Sequence, residues 1–274
     1  MGRIQEIAFL VFGQLAVGGV FLLSLPSLET VGLGFFRTNG LVFLVTVLLG
    51  MAVFPVSIPE GGTALFGVDL IRVVFLFFSL FALTLFIYNL RLWFRHPHHS
   101  RPLLLAASSF GAIAILASVG YYLPRPFGPI RAVSLSVYFM TSSLLLGAGV
   151  LAMLLGHSYL TRPSLSIVPL RNLAKIFMVL VFVEAGLAIV NLLVTAPFDR
   201  LRNALLLNTF EGLYLWIRLL IGIAGPLILA PMILQTVKER ATMSATGLLY
   251  VAMMMVIIGE IFSRFFLLVD AAFL

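Results

Sequence analysis

Long uninterrupted runs of apolar residues, separated by short polar breaks, dominate the pattern of this chain. An α-helix needs about 20 residues to cross a bilayer core about 30 Å thick, and these runs are that long. The runs lack the alternation of polar and apolar positions that a membrane β-barrel would show. The pattern therefore predicts an all-α, polytopic membrane protein with eight transmembrane helices. The predicted spans cover residues 7–25, 39–57, 70–94, 103–123, 132–156, 173–196, 211–235 and 243–268.

The composition agrees with this pattern. Hydrophobic residues make up 62% of the 274 residues and charged residues 10%, and the mean hydropathy is +1.17. Soluble domains contain about 45–50% apolar and about 25% charged residues. The polar breaks are too short for a soluble domain, so we interpret 1–274 as a single integral membrane domain. The first run lacks a clear small-residue cleavage pattern, which favours a retained helix over a signal peptide.

Lys and Arg are more frequent in the loops after the first, third, fifth and seventh runs than in the other loops and the termini. Because loops rich in these residues stay in the cytoplasm, we expect both termini to be non-cytoplasmic, in a multi-pass protein of the cell inner membrane. The net charge of +7 then reflects orientation and contact with anionic lipid, and we expect no nucleic-acid partner. The chain has no cysteine, so we expect no iron–sulfur cluster ligated within it.

Polar side chains inside the predicted spans are the candidates for chemistry, because each is expensive to place in lipid. Glu260 and Arg264 lie four residues apart, so they share one helix face and can pair, with Arg218 or Glu184 as further partners across the bundle. Such a pair either holds helices together or forms a quinol or proton site, in which a carboxylate accepts a proton. The full set is Gln14, Arg72, His157, Glu184, Glu211, Arg218, Glu260 and Arg264.

His157 is the only histidine outside the segment "RHPHHS". A haem held by two histidines needs two opposing imidazoles at membrane depth, so we expect no haem within this chain. Three interpretations of His157 stay open. It could be a haem ligand together with a methionine, or it could donate a hydrogen bond to a quinone carbonyl. The favoured interpretation is an interfacial histidine whose hydrogen bonds go to the backbone or to lipid headgroups. A metal site at His96, His98 and His99 is less favoured than a solvated turn, and we predict no metal site.

Two further stretches predict helix packing. The segment "FGQLAVGGVFLLSLP" contains Gly13, Gly18 and Gly19, which allow membrane helices to approach closely, so we expect the first span to be interior. Pro226 and Pro231 should kink or locally unwind the seventh span. Broken helices also build substrate sites in transporters, so this feature keeps a transporter hypothesis open.

The segments "FGQLAVGG" and "GEIFSR", with eight predicted spans and both termini outside, resemble the membrane anchor of dimethyl sulfoxide reductase, polysulfide reductase and the NrfD-type quinol-interacting subunits. The resemblance implies two four-helix bundles in a row, no haem, and electron exchange between menaquinol or ubiquinol and an iron–sulfur partner. The family's terminal Gly-Glu-x-x-x-Arg motif corresponds to Gly259, Glu260 and Arg264. The stretch "GHSYLTRPSLSIVPLRNLAKIF" departs from the family pattern.

Three functional hypotheses follow. The first is a quinone-interacting subunit of a respiratory electron-transfer complex, which anchors iron–sulfur or multihaem cytochrome subunits and other membrane subunits. The second is a transporter or ion-translocating subunit, and the third is a structural subunit whose buried charges serve packing alone. We favour the first, with quinone as the candidate cofactor. No motif supplies a catalytic residue, so the chain would be an enzyme only as part of a complex. The candidate quinone or proton-path residues are Glu260, Arg264, His157, Glu184, Arg218 and Gln14.

Overall fold

The computed structural model of the chain describes residues 2–54, 64–65, 68–94, 100–123, 128–162, 165–195, 198–208 and 210–270. Within these residues, eight helices are long and apolar enough to span a membrane, which confirms the predicted fold class. The helices are α1 Gly2–Leu23, α2 Leu28–Val31, α3 Leu33–Val53, α4 Leu70–Phe94, α5 Ser100–Tyr122, α6 Pro129–Thr161, α7 Val168–Thr195, α8 Phe198–Leu205, α9 Phe210–Ile217, α10 Gly225–Lys238 and α11 Thr242–Asp270.

The seventh span is a composite of three segments. A π-helical segment, Arg218–Ala224, joins α9 to α10, and together they form one continuous helix. The short helices α2 and α8 lie between spans. Two-residue strands β1 (Ala64–Leu65) and β2 (Val68–Asp69) pair in antiparallel orientation before α4.

The spanning helices form two four-helix bundles. In the first bundle α1 contacts α3 and α5, and α4 contacts α3 and α5. In the second, α6 contacts α7 and α11, and α10 contacts the same two helices. Helix α1 also contacts α6 and α11, so it joins the bundles and lies in the interior, as its small residues predict. The outward faces carry exposed Leu, Val, Phe and Met side chains, which places them against lipid.

The structure bears on one predicted helix end and on the predicted depth of Arg72. Helix α3 ends at Val53, and the next residue, Phe54, has an extended backbone and precedes Pro55, whose ring disfavours the helical conformation for the residue before it. The predicted end of this span at residue 57 lies outside the described residues. Arg72 lies in the first turn of α4, where its side chain is 81% exposed and pairs with Asp69 at 3.2 Å. It is a surface residue and not a charge at membrane depth.

Glycines set the closest helix approaches. A Cβ at Gly18 of α1 would collide with the Ser143 carbonyl of α6, and a Cβ at Gly147 would collide with the Gly18 backbone. The Ser143 hydroxyl donates to the Gln14 carbonyl at 2.7 Å across the same contact. The contact between the two bundles therefore depends on the absence of side chains at these positions.

The π segment ends at Ala224, two residues before Pro226. The Gly225 N–H donates to the Leu220 carbonyl, five residues earlier, in place of the α-helical spacing of four. Proline lacks an N–H and its ring collides with the carbonyl four residues before it, so the wider turn relieves the collision. The expected local change in the helix thus takes the form of a π segment. Pro231 lies inside α10, which continues to Lys238.

We expect Gly18→Ala to lower the free energy of unfolding by about 1–3 kcal/mol, because the added methyl group forces α1 away from α6. Thermal denaturation of the purified protein in mild detergent measures the change. Gly186→Ala is the matched control, since a Cβ at Gly186 has no atom within 4 Å. Equal melting temperatures for the two variants would contradict the proposed role of this contact.

Candidate functional site

A buried cluster of polar and charged side chains lies where the two bundles meet. Its members come from α1, α6, α7, the π segment and α11, and each is at most 2% exposed. The cluster consists of Gln14, Tyr138, Ser142, Glu184, Arg218, Glu260, Ser263 and Arg264.

Helical spacing places several of these side chains on common faces. Ser263 and Arg264 lie three and four residues after Glu260 on α11, and Tyr138 and Ser142 are four residues apart on α6. The Arg264 Nη2 atom lies 3.0 Å from Glu260 Oε2. This contact confirms the pairing within one helix face that the sequence predicts.

Arg218 connects three helices through its guanidinium group. Its Nη1 donates to Glu260 Oε1 at 3.0 Å, and its Nη2 donates to the Tyr138 hydroxyl at 2.8 Å and to Glu184 Oε1 at 3.3 Å. Arg218 therefore pairs with both carboxylates of the cluster.

Arg264 makes the corresponding contacts toward α1 and α6. It donates to Gln14 Oε1 from Nε at 3.2 Å and from Nη2 at 2.5 Å, and to Ser142 Oγ at 2.6 Å. The Ser142 hydroxyl in turn donates to Glu260 Oε2. The Arg264 guanidinium also lies over the rings of Tyr138 and Phe139, 5.1 and 4.9 Å from their centroids, where a cation is attracted electrostatically.

The four charges alternate in sign along one path: Glu184, Arg218, Glu260, Arg264. With both acids ionised the net charge is zero, and each charge has an oppositely charged neighbour within 3.3 Å. A single uncompensated charge in a low-dielectric interior is far more costly than a paired one. Pairing therefore explains how the membrane interior accommodates four charges.

Each end of this path has a buried polar atom that lacks a partner. Among the described residues, Glu184 Oε2 on α7 and Gln14 Nε2 on α1 make no hydrogen bond. An unsatisfied buried polar atom costs about 1–3 kcal/mol. A hydrogen-bond donor or a proton would satisfy Glu184 Oε2, and a hydrogen-bond acceptor would satisfy Gln14 Nε2.

A glycine contact makes room for Arg218. A Cβ at Gly222 in the π segment would lie 2.5 Å from Gly259 Cα of α11, and a Cβ at Gly259 would lie 2.8 Å from Arg218 Nη1. The glycine that precedes Glu260 in "GEIFSR" is thus required by packing against the π segment.

The cluster lies at membrane depth. Glu184 and Glu260 each lie eight residues before the ends of their spans at Leu192 and Leu268, or about 12 Å along the helix axis. These span ends are on the same side of the protein as the start of α1, so the cluster is closer to the face that carries the chain termini.

The structure brings together five of the six candidate residues but not His157. His157 lies fifteen residues after Ser142 on α6, about 22 Å along the helix, and is exposed at the opposite membrane face. The candidate metal ligands His96, His98 and His99 lie outside the described residues, as does the side chain of Glu211.

Three members of the cluster were not singled out from the sequence: Tyr138, Ser142 and Ser263. A signal existed in "SLSVYFMTSS", where Ser134, Tyr138 and Ser142 recur every four residues within an apolar run. Hydroxyl side chains are common at the contacts between membrane helices, so this spacing by itself does not distinguish a functional site from ordinary helix packing.

A mainly apolar pocket of about 260 Å³ lies at the contact between α1 and α6. Val17 and Gly18 of α1, Ser108 of α5, and Met140 and Ser143 of α6 line it. Ser143 is the neighbour of Ser142, and its hydroxyl bonds the backbone of Gln14. Phe21, Leu105 and Ser109 also line the pocket and are exposed on the outer faces of α1 and α5, so its mouth opens toward lipid.

The fold and the cluster together define a polytopic α-helical membrane protein with a charge-balanced site at membrane depth. No protein family, no curated protein and no solved structure matches the chain.

We expect Glu184→Gln and Arg218→Gln to lower the free energy of unfolding by about 3–5 kcal/mol each, because either change leaves an uncompensated buried charge. The double variant retains the balanced pair of Glu260 and Arg264, so its loss should be smaller than the sum. Unfolding in mixed detergent micelles measures all three variants.

The exposed pair of Asp199 and Arg202 in α8, 3.9 Å apart, is the control. A double-mutant cycle of Asp199→Asn and Arg202→Gln should give a coupling free energy of at most about 1 kcal/mol between these two side chains. Strictly additive losses in the Glu184 and Arg218 cycle would contradict the electrostatic account of the cluster.

Proposed function

We propose that the protein is a quinol-interacting integral membrane subunit of a respiratory electron-transfer complex in the cell inner membrane. One observation carries the proposal: Ser143, in the wall of the lipid-open pocket between α1, α5 and α6, donates to the backbone carbonyl of Gln14. The side chain of Gln14 belongs to the charge-balanced cluster. A lipid-soluble ligand in this pocket would lie at the contact between α1 and α6, which also contributes Gln14 and Ser142 to the cluster.

The pocket suits the ring of a quinone. Its volume of about 260 Å³ and its mostly apolar wall fit a flat aromatic head, and the hydroxyls of Ser108, Ser109 and Ser143 supply polar contacts. The exposed side chains of Phe21 and Leu105 at its mouth leave an isoprenoid tail in the bilayer. A quinol bound there would supply two electrons and two protons on oxidation.

The side chains of the cluster would receive the protons. Ser142 lies next to Ser143 of the pocket and donates to Glu260, which contacts Arg218. Arg218 has no acceptor atom for a proton, but it pairs with both carboxylates and so would hold Glu184 near Glu260 as the next acceptor. Glu184 Oε2 has no hydrogen-bond partner among the described residues. A proton that reaches Glu184 would have moved from the contact between α1 and α6 to α7.

Polar side chains continue from Glu184 toward the face that carries the termini. Asn191 lies two turns later on α7 and is buried, and the Ser134 hydroxyl of α6 donates to its Oδ1. These two residues extend the polar path by about 10 Å along α7. The protons would therefore leave on that face.

The electrons released by a quinol would need an acceptor in a partner subunit. Iron–sulfur clusters are held by cysteine thiolates, and the chain contains none. An iron–sulfur or multihaem cytochrome subunit docked on one face would accept the electrons, with this chain as its membrane anchor. That arrangement agrees with the resemblance carried by "FGQLAVGG" and "GEIFSR".

Ion translocation is the second candidate function. It is favoured by the location of Arg218 in a π segment, because such segments are frequent at functional sites and can shift register. In that case the isolated chain would carry ion flux without a redox partner.

Purification from native membranes in mild detergent, followed by mass spectrometry of subunits and extracted lipids, separates the two functions. We expect a redox subunit and a stoichiometric quinone to accompany the chain. A chain that is pure, free of quinone and active in ion flux after reconstitution would contradict the quinol assignment and favour translocation.

We expect Glu260→Gln to lower quinol-dependent electron transfer by about 100-fold, since the loss of a positioned proton acceptor typically costs 10²–10⁴-fold. Glu239→Gln, the same change at an exposed position at the end of α10, should leave the rate unchanged. Electron transfer from a water-soluble dye to the partner subunit reports whether the complex still assembles. Unchanged quinol oxidation in an assembled Glu260→Gln complex would mean that the cluster only stabilises the fold.

A further inference from the structure

A second pocket, with several polar side chains in its wall, lies at the membrane face opposite the chain termini. It is separate from the charge-balanced cluster. It has a volume of about 330 Å³ and lies between the start of α3 and the end of α6. Thr38 and Asn39 of α3, His157 of α6 and Arg162 after it line its polar side. By the distribution of Lys and Arg, this face is the cytoplasmic one.

The first turn of α3 provides backbone donors at this pocket. Gly32 precedes the helix with φ at 80°, a conformation that side chains disfavour, and no side chain caps the helix. The first turn contains no acidic residue. Its N–H groups and the positive end of the helix dipole therefore favour an anion at this position.

Arg162 adds a positive charge beside this helix start. Its Nη1 and Nη2 lie 3.6 and 3.9 Å from the positions that a Cβ would take at Gly32 and Gly34. In the described part of the chain, no hydrogen bond or ion pair engages its guanidinium group. His157 lines the same pocket and adds an imidazole donor.

Asn39 supplies the second, independent observation. It is 1% exposed and lines the pocket, and its Nδ2 donates to the Phe35 carbonyl at 2.7 Å. Its Oδ1 has no hydrogen-bond partner among the described residues. A ligand with a hydrogen-bond donor would satisfy this buried acceptor.

We propose that this pocket binds the headgroup of an anionic glycerophospholipid. The phosphodiester lies at the start of α3, between Arg162 and His157, and a headgroup hydroxyl donates to Asn39 Oδ1. The wall formed by Val31, Phe35, Leu154 and Leu165 suits the apolar base of a lipid better than a free phosphate ion. Anionic lipids are also enriched where Lys and Arg accumulate at a membrane face. This site is independent of the quinol function.

Lipid binding to the delipidated, full-length protein in detergent tests the proposal. We expect phosphatidylglycerol to raise the melting temperature in a saturable way and to appear as a bound adduct in native mass spectrometry, whereas phosphatidylcholine should do neither. Phosphatidylmethanol, which has the same charge but no hydroxyl, should bind more weakly than phosphatidylglycerol.

Two variants separate the contacts. Arg162→Gln should weaken phosphatidylglycerol binding by about tenfold or more, the loss expected for a hydrogen bond to a charged group. Asn39→Leu should abolish the preference for phosphatidylglycerol over phosphatidylmethanol. Arg91→Gln is the matched control, because Arg91 is exposed near the same face at the end of α4 and does not line the pocket.

Three outcomes would overturn the proposal: phosphatidylcholine that stabilises the protein as strongly as phosphatidylglycerol, an Arg162→Gln variant with unchanged binding, or equal losses in Arg162→Gln and Arg91→Gln. Inorganic phosphate that reproduces the whole thermal shift would overturn the assignment to a lipid. None of these outcomes depends on quinol oxidation, so the lipid site and the quinol function succeed or fail separately.

Discussion

The pairing of Glu260 with two arginines is the interaction on which the centre of this protein depends. Glu260 uses one carboxylate oxygen for Arg218 and the other for Arg264, and so connects the α7 side of the site to the α1 side. In a low-dielectric interior, removal of this one side chain would leave two arginines opposed by a single carboxylate. The positions of α11, the π segment and α1 are thus linked by electrostatics as much as by packing.

Packing must satisfy the same constraint, because charges can pair only if the helices approach closely. Glycine contacts provide that approach at two places: Gly18 with Gly147 at the contact between the bundles, and Gly222 with Gly259 beside Arg218. The π segment before Pro226 supplies the turn from which Arg218 enters the core. Small residues, a proline and four charges therefore form one unit, in which each element would be unfavourable without the others.

The molecule separates its polar groups by depth. The cluster lies in the membrane interior, with every charge matched, while Arg162 and His157 line a pocket at the opposite face. An interior cluster excludes water, which strengthens the electrostatic interactions within it. The pocket at the opposite face is lined in part by exposed side chains. The proposed quinol function and the proposed lipid site therefore concern different parts of the molecule.

The sequence by itself determined the properties that depend on neighbours along the chain. Eight apolar runs predicted the spans, the spacing of Glu260 and Arg264 predicted their pairing, and the glycines of "FGQLAVGG" predicted an interior first helix. Five of the six candidate residues lie in one cluster because an ionisable side chain in lipid needs a partner, which is a constraint visible in the sequence.

Only the tertiary structure decided which residues meet across helices. It added Tyr138, Ser142 and Ser263 to the cluster, separated His157 from it and moved Arg72 to the surface. Periodicity determines which side chains share a face of one helix, but not how that helix is rotated against its neighbours or how far it slides along the membrane normal. Those quantities follow from the packing of all the spans together, through the glycine contacts and the π segment.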